Sequence, residues 1–301
     1  MRNFLAPTIL AFAAVASAPA AAAPTDAAVT PACERAQIAA REVPDVFPAT
    51  TGDYLDLADC LGAQNPAVRD GFAFETFVAA LRQRPPDRAV LRQLSSRLAG
   101  NLAASEPLDE GYLAPFSVLV LAEIARVDRI DPFMSAEERS ALVDTGTKYL
   151  ANLRDYRGFD EGNGWRHGVA HAADLMMQLS LNAHLTRDDA MKITAAIAAQ
   201  VSPETSHFYV FGEPGRLARP IIFLSSRDLL TEREWQDWFA ALEASEQDPK
   251  WQSPYTSASG LARIHNTRQF ASAIYIMASN SEDPASTMIA DGSLGVLKSL
   301  P

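Results

Sequence analysis

Long apolar runs, clustered basic residues, strand-like alternation and cysteines are all scarce in this chain, and each shortage closes off a class of protein. Beyond the opening residues no stretch reaches the ~20 apolar residues that a membrane-spanning helix needs. The net charge is −11, and Lys and Arg nowhere cluster. Nucleic acid and anionic membrane surfaces, which reward basic patches, are therefore not the expected partners. Strand-like alternation is almost absent; only His207 to Phe211 reads as extended, too short and isolated to build a sheet.

The opening residues carry one positive charge at Arg2, an apolar run from Phe4 to Ala16 and small residues at Ala18, Ala20, Ala21, Ala22 and Ala23. That is the order of a cleavable secretory signal peptide. Pro24 fits poorly after a scissile bond, so the expected cut follows Ala20 or Ala22. Residues 1–22 are read as signal peptide, and the destination as periplasmic or extracellular. Cys33 lies well beyond the apolar run without a Leu-x-x-Cys setting, which argues against a lipid anchor. The chain has two cysteines, and an even count in an exported protein points to a Cys33–Cys60 bridge rather than a metal site. The alternative is a pair of free thiols, with Cys60 buried as a small hydrophobe.

Removing the signal leaves about 280 residues, enough for one large domain. Residues 23–51 mix Pro, Ala and Thr around a short helical pattern near Glu34 to Glu42, and read as an N-terminal arm. From 52 to 301 apolar residues recur three and four apart, which is the helical period. The predicted helices run Tyr54 to Leu61, Ala67 to Arg82, Arg88 to Ala103, Pro115 to Val127 and Ala136 to Leu153. They continue over Trp165 to Leu185, Arg187 to Val201, Gly215 to Leu230, Glu232 to Glu246, Ser257 to Ala278 and Ala285 to Leu300. Ser135 before Glu138, Thr231 before Glu234 and Thr186 before Asp188 and Asp189 carry capping chemistry. The expectation is an all-α fold: antiparallel helix hairpins stacked as a curved α-α array or solenoid-like bundle, with no significant sheet.

The stretch from Asp155 to Asp174 holds most of the chemistry. On a helix starting at Trp165, His171 lies about 40° from His167 and Asp174 about 20° to the other side, with Gln178 and Asn182 extending the stripe. From His167 to Thr186 there is no Lys, Arg or Glu, the residues that normally fill a water-facing helix, so this polar face reads as lodged in a groove. Two histidines four apart can share a divalent metal, and Asp174 could add an oxygen. His167 could equally act as a general base oriented by Asp174. A hydrogen-bonded structural cluster is the plain alternative.

Before this helix, Gly158, Gly162 and Gly164 interrupt a loop that carries Asp155, Arg157, Asp160, Glu161 and Trp165. Acids beside an aromatic suit a small-molecule or sugar platform, although adjacent carboxylates do not by themselves make a glycosidase pair. A second cluster, Phe211 to Arg219, places Glu213 and Arg216 at a helix entrance. Arg216 could pair with Asp174 or bind an anion, a local Glu213 partner being the plainer expectation. A third, His265-Asn266-x-x-Gln269-Phe270, lies within a late helix.

The blocks Asp155-x-Arg157-Gly158, Trp165-x-His167-(x)3-His171-x-x-Asp174, Gly212-Glu213-x-x-Arg216-Leu217-Ala218 and Asn266-x-x-x-Phe270 resemble successive motifs of the domain of unknown function 2785 family. Leu61-Gly62-(x)3-Pro66-x-x-Arg69-Asp70 is similar to its first block. The resemblance covers about Tyr54 to Ala278; Pro214-Gly215 departs from it where another acid would be expected. It implies an all-helical fold and a shared motif surface without an activity. The leading expectation is a binding module whose groove, lined by Arg157, Glu161, Trp165, His167, His171, Asp174, Glu213 and Arg216, takes a small or peptide-like ligand. A hydrolase using a metal at His167, His171 and Asp174, or a His167/Asp174 acid-base pair, with Glu161 or Glu213 assisting, is the alternative. A polar network that only fixes helix register is the third.

Overall fold

A computed structural model describes residues 29–103, 111–245 and 247–301. The segment read as a signal peptide lies outside them. Among the described residues the chain forms twelve α-helices, and its only sheet is a hairpin of two short strands. The expected all-α class is thus observed.

Helix α1 (Pro31–Glu42) packs on α2 (Thr51–Asp59), and a disulfide joins Cys33 to Cys60 with their Cα atoms 4.8 Å apart. A wide π-helical coil over Ala67–Phe74 runs straight into α3 (Glu75–Gln83), so the single helix expected from Ala67 has two windings. Next come α4 (Arg88–Ala103), α5 (Leu113–Ile130), α6 (Ala136–Asn152), β1 (Phe159–Asp160), β2 (Gly164–Trp165) and α7 (Gly168–Ser180). The chain continues through α8 (Arg187–Val201), α9 (Glu213–Ser225), α10 (Glu232–Ala240), α11 (Ala258–Ala278) and α12 (Pro284–Ser299).

These helices form two rows. In one, α5 packs on α7, α7 on α9 and α9 on α11; in the other, α4 packs on α6 and α6 on α8. Each hairpin, α4/α5, α6/α7 and α8/α9, contributes one helix to each row. Helix α5 shows which row is internal. Twelve of its eighteen residues are buried, and a helix apolar nearly all round must be covered on every side. Each large apolar side chain it buries contributes about 1.5–3 kcal/mol relative to exposure.

Two acids inside α5 are tolerated because each is paired. Arg82 Nε donates to Glu123 over 2.7 Å. Asp128 accepts from Arg139 Nε and Asn182 Nδ2, both at 2.8 Å, and from the backbone N–H groups of Phe133 and Met134. That one carboxylate ties α5 to α6 and to the residues that follow α7.

The expected caps form. Ser135 with Glu138 and Thr231 with Glu234 close reciprocal capping boxes, Thr186 accepts from the Asp189 N–H, and Thr50 with Asp53 adds a third box. Several boundaries differ from expectation: the helices predicted to end at Leu185 and Leu230 stop at Ser180 and Ser225. The helix predicted from Glu232 ends at Ala240. The helix predicted from Trp165 starts at Gly168, because Trp165 pairs in the hairpin and His167 turns into a left-handed conformation, φ 56°. Among the described residues the extended His207–Phe211 segment has no strand partner. Asn266 on α11 stands in for one, accepting from the Tyr209 N–H at 2.8 Å and donating to the His207 carbonyl at 3.0 Å.

Candidate functional site

The first turns of three internal helices meet at one place. His171 in α7 places Nδ1 3.1 Å from the Pro115 carbonyl in the first turn of α5. His167, just before α7, places Nε2 3.9 Å from Oε1 of Glu213, the first residue of α9. Backbone N–H groups at helix starts carry partial positive charge. Their convergence suits the Glu213 carboxylate and opposes a charged imidazole.

Local backbone requirements place these side chains. Gly212 precedes α9 with φ +90°, a conformation that glycine adopts without penalty. Gly158 lies so close to the Phe211 ring that an added Cβ would sit 2.0 Å from it. This contact seats the β-hairpin against the His207–Phe211 segment. The backbone also joins residues 157 and 158 to 166 and 167: Arg166 N–H donates to the Gly158 carbonyl at 2.9 Å and His167 N–H to the Arg157 carbonyl at 3.1 Å. His167 is therefore aimed by the hairpin rather than by the helix.

An aromatic wall surrounds it. The Trp165 ring stacks on His167 with centroids 4.7 Å apart, Phe159 lies 5.0 Å from Trp165, and Phe211 meets Trp165 edge-on at 5.8 Å. Trp165 is 38% exposed, whereas His167 and Glu213 are 8% and 1% exposed. His171 packs edge-on against Phe116. Deeper in, the Arg69 and Arg166 guanidinium carbons lie 4.0 and 4.3 Å from the centre of the Tyr112 ring.

Burial, helped by the Arg216 charge, lowers the His167 pKa to about 4 against a hydrogen bond to the Phe211 backbone. Burial and the charges of His167 and Arg216 lower that of His171 to about 3. Both rings are neutral at pH 7. Burial pushes the Glu213 carboxyl upward, although N–H donation from its own backbone and from Phe211 partly opposes this. The Phe211 N–H bond falls on Glu213 Oε2, at 2.9 Å. Glu213 Oε1 and His167 Nε2 are buried, and neither has a hydrogen-bond partner among the described residues. Such orphan atoms are uncommon in a folded interior.

The sequence-predicted residues divide sharply. Asp174, Gln178 and Asn182 lie between α5 and α9 as a satisfied polar network. Arg216 on α9 pairs with Asp174, Arg129 on α5 donates to Gln178 at 3.2 Å, and Asn182 donates to Asp128. Arg216 thus takes Asp174 and not the local Glu213. The proposed metal set is not brought together: His167 faces Glu213, His171 faces the Pro115 carbonyl, and Asp174 is held by Arg216. No group of three His, Cys, Asp or Glu side chains among the described residues is arranged to hold a metal ion. The His167/Asp174 acid-base pair is corrected in the same way, since the carboxylate beside His167 belongs to Glu213. Arg157 is turned onto Asp155, with Nε 2.8 Å from Oδ1, and Glu161 stands on the exposed hairpin turn. Tyr112 and Arg166 carried no signal in the sequence, and Phe211 entered only as the end of the extended segment and the start of the Phe211 to Arg219 cluster.

The geometry of this motif-bearing surface can be set beside known families. The family model described as a protein of unknown function (DUF2785) matches residues 98–276, more than half of the chain. The chain belongs to this family. Its matched span takes in the hairpin, His167, Asp174, Glu213, Arg216 and Asn266. It starts after the Leu61 to Asp70 block, which the resemblance had included; Arg69 of that block nonetheless donates to the Asn163 carbonyl of the hairpin at 2.8 Å. No curated protein and no solved structure matches the chain. No described helix is long and apolar enough to cross a membrane.

Proposed function

We propose that this family member is an exported helical-array binding module, with a site for a small or peptide-like ligand where the first turns of α5, α7 and α9 meet. One observation carries the reading: two buried polar atoms, His167 Nε2 and Glu213 Oε1, face each other at 3.9 Å with their hydrogen bonds unmade. An unmet buried acceptor costs about 1–3 kcal/mol, and a ligand that met both would recover that cost. The partly exposed Trp165 beside them offers a flat contact surface. Export rests on the order of residues 1–22 and on a cysteine pair suited to an oxidising compartment.

A fragment screen of the mature protein followed by NMR tests the reading, with the Trp165 indole N–H and the His167 ring as reporters. Fragments that shift both signals support it; hits confined to other surfaces oppose it. Mass spectrometry of the exported product, with a mass corresponding to a cut after Ala20 or Ala22, tests the export assignment.

A hydrolase remains the second reading, now with Glu213 in place of Asp174. A neutral imidazole beside a buried carboxyl is an acid-base arrangement. Turnover of an ester, amide or glycoside panel that disappears in His167→Gln would favour it. Asp174, Gln178 and Asn182 fit the third reading, a network that sets helix register.

A further inference from the structure

We infer a second binding site, for a small organic anion with an apolar body, in the cavity bounded by the ends of α4 and α6 and the start of α5. It lies apart from the His167 site and goes beyond the binding-module reading.

The cavity has a volume of about 880 Å³, within the range of small-molecule pockets. Its apolar lining comes from Leu102 at the end of α4, Leu113 and Pro115 in the first turn of α5, and Leu153 just after α6. Leu102, Pro115 and Leu153 are buried. Pro115 and Leu153 also back onto the start of α7: a Cβ added at Gly168 would lie 2.8 Å from Leu153 and 3.6 Å from Pro115. Pro115 thus stands between the two sites, its carbonyl facing His171.

Charge sets the sign of the ligand. Among the described residues the cavity is lined by the cations Lys148, Arg154 and Arg157 and by one acid, Asp155, in a chain whose net charge is −11. Asp155 accepts from Arg157 Nε at 2.8 Å, and Asp144, one helical turn before Lys148, is held by Lys192 at 2.6 Å. Both nearby acids are therefore engaged, and neither Lys148 nor Arg154 has a carboxylate within ion-pair distance among the described residues. Arg154 directs Nη1 to the Ala151 and Leu153 carbonyls, which answers the negative end of α6 and leaves its other guanidinium nitrogens for a ligand. The end of α4 and the start of α5 carry opposite partial charges, so the two full charges decide.

An organic carboxylate meets both features. Its oxygens accept from Lys148 and Arg154, which stand exposed at the rim, and its carbon body covers the apolar lining.

The test compares octanoate, octanol and octylamine, which share a chain and differ in the group that ends it, by calorimetry on the mature full-length protein at pH 7.5. Octanoate is expected to bind at least tenfold more tightly than the other two and to leave the Trp165 indole N–H signal unmoved. Lys148→Glu should weaken it at least tenfold. Equal or tighter binding of the alcohol or the amine overturns the inference, as does unchanged octanoate binding to a folded Lys148→Glu protein. An octanoate that shifts the Trp165 signal belongs to the other site and also overturns it. Residues 104–110, which join Ala103 to Gly111, carry Glu106, Asp109 and Glu110; if octanoate fails to bind, as it would with those acids in its place, the inference falls. Should Lys148→Glu not fold, the wild-type ranking and the indole signal still decide.

Discussion

Arg216 donates from Nε to Asp174 Oδ1 over 2.6 Å and from a terminal nitrogen to Oδ2, fastening α9 to α7. The pair aligns two helices whose N-terminal ends carry Glu213 and His167. Asp174→Asn should lower stability by about 1–3 kcal/mol, below the cost of breaking a fully buried pair because Arg216 is partly exposed. Urea unfolding measures this. Adding Arg216→Gln should cost little more than the single change.

Asp128 is the stronger structural tie. Burial pushes its carboxyl upward, but hydrogen bonds from Arg139, the Met134 and Phe133 N–H groups and Asn182 outweigh burial and hold it below the ordinary carboxylate range. Folding therefore favours the ionised form. The stability this contributes is present above the unfolded carboxylate pKa and is lost as pH falls through the depressed folded value. Asp128→Ala should cost about 3–5 kcal/mol, because it strands the buried Arg139 guanidinium. Urea midpoints measured against pH should show a shallower acid limb in the variant.

The two site histidines act in a different window. Their folded pKa values, about 4 for His167 and about 3 for His171, lie below the ordinary value of about 6.5. The unfolded chain therefore takes up these protons first as pH falls. Their contribution is complete above about 6.5 and declines toward about 4 and about 3 as pH falls. Ring titration by NMR should find both histidines uncharged at pH 5.5, and His167→Gln should flatten the stability profile between pH 6.5 and 4.

The Cys33–Cys60 bridge closes a loop with a sequence separation of 27. In the chain-entropy view its loss costs about 3–4 kcal/mol. Denaturation with and without reductant should show that difference, and the double Cys→Ser variant should match the reduced protein.

The helices were legible in the sequence where local chemistry decides them. Ser135 with Glu138 and Thr231 with Glu234 announce helix starts through contacts three residues apart, and both form. The polar stripe from Asp174 to Asn182 is half-buried to buried and hydrogen-bonded, in keeping with its lack of the long charged side chains of a wet face. The start of α7 was not legible. A histidine in a left-handed conformation is uncommon, and here the pairing of residues 157 and 158 with 166 and 167 imposes it. Helical spacing consequently linked His167 with Asp174, whereas the hairpin turns His167 toward Glu213. Partners such as the Pro115 carbonyl for His171 and Arg216 for Asp174 are separated by 56 and 42 residues, beyond any local rule. Asp128 left no sign either: it stands between Val127 and Arg129, just past the end of the helix predicted from Pro115, as an ordinary surface acid would.

The most direct measurement is a crystal structure of the mature protein soaked with the fragments that bind it. The account predicts fragment density within hydrogen-bonding distance of both His167 Nε2 and Glu213 Oε1, with Trp165 turned against it. A lone water bridging the two atoms, or a direct bond between them with the fragments bound elsewhere, would contradict it.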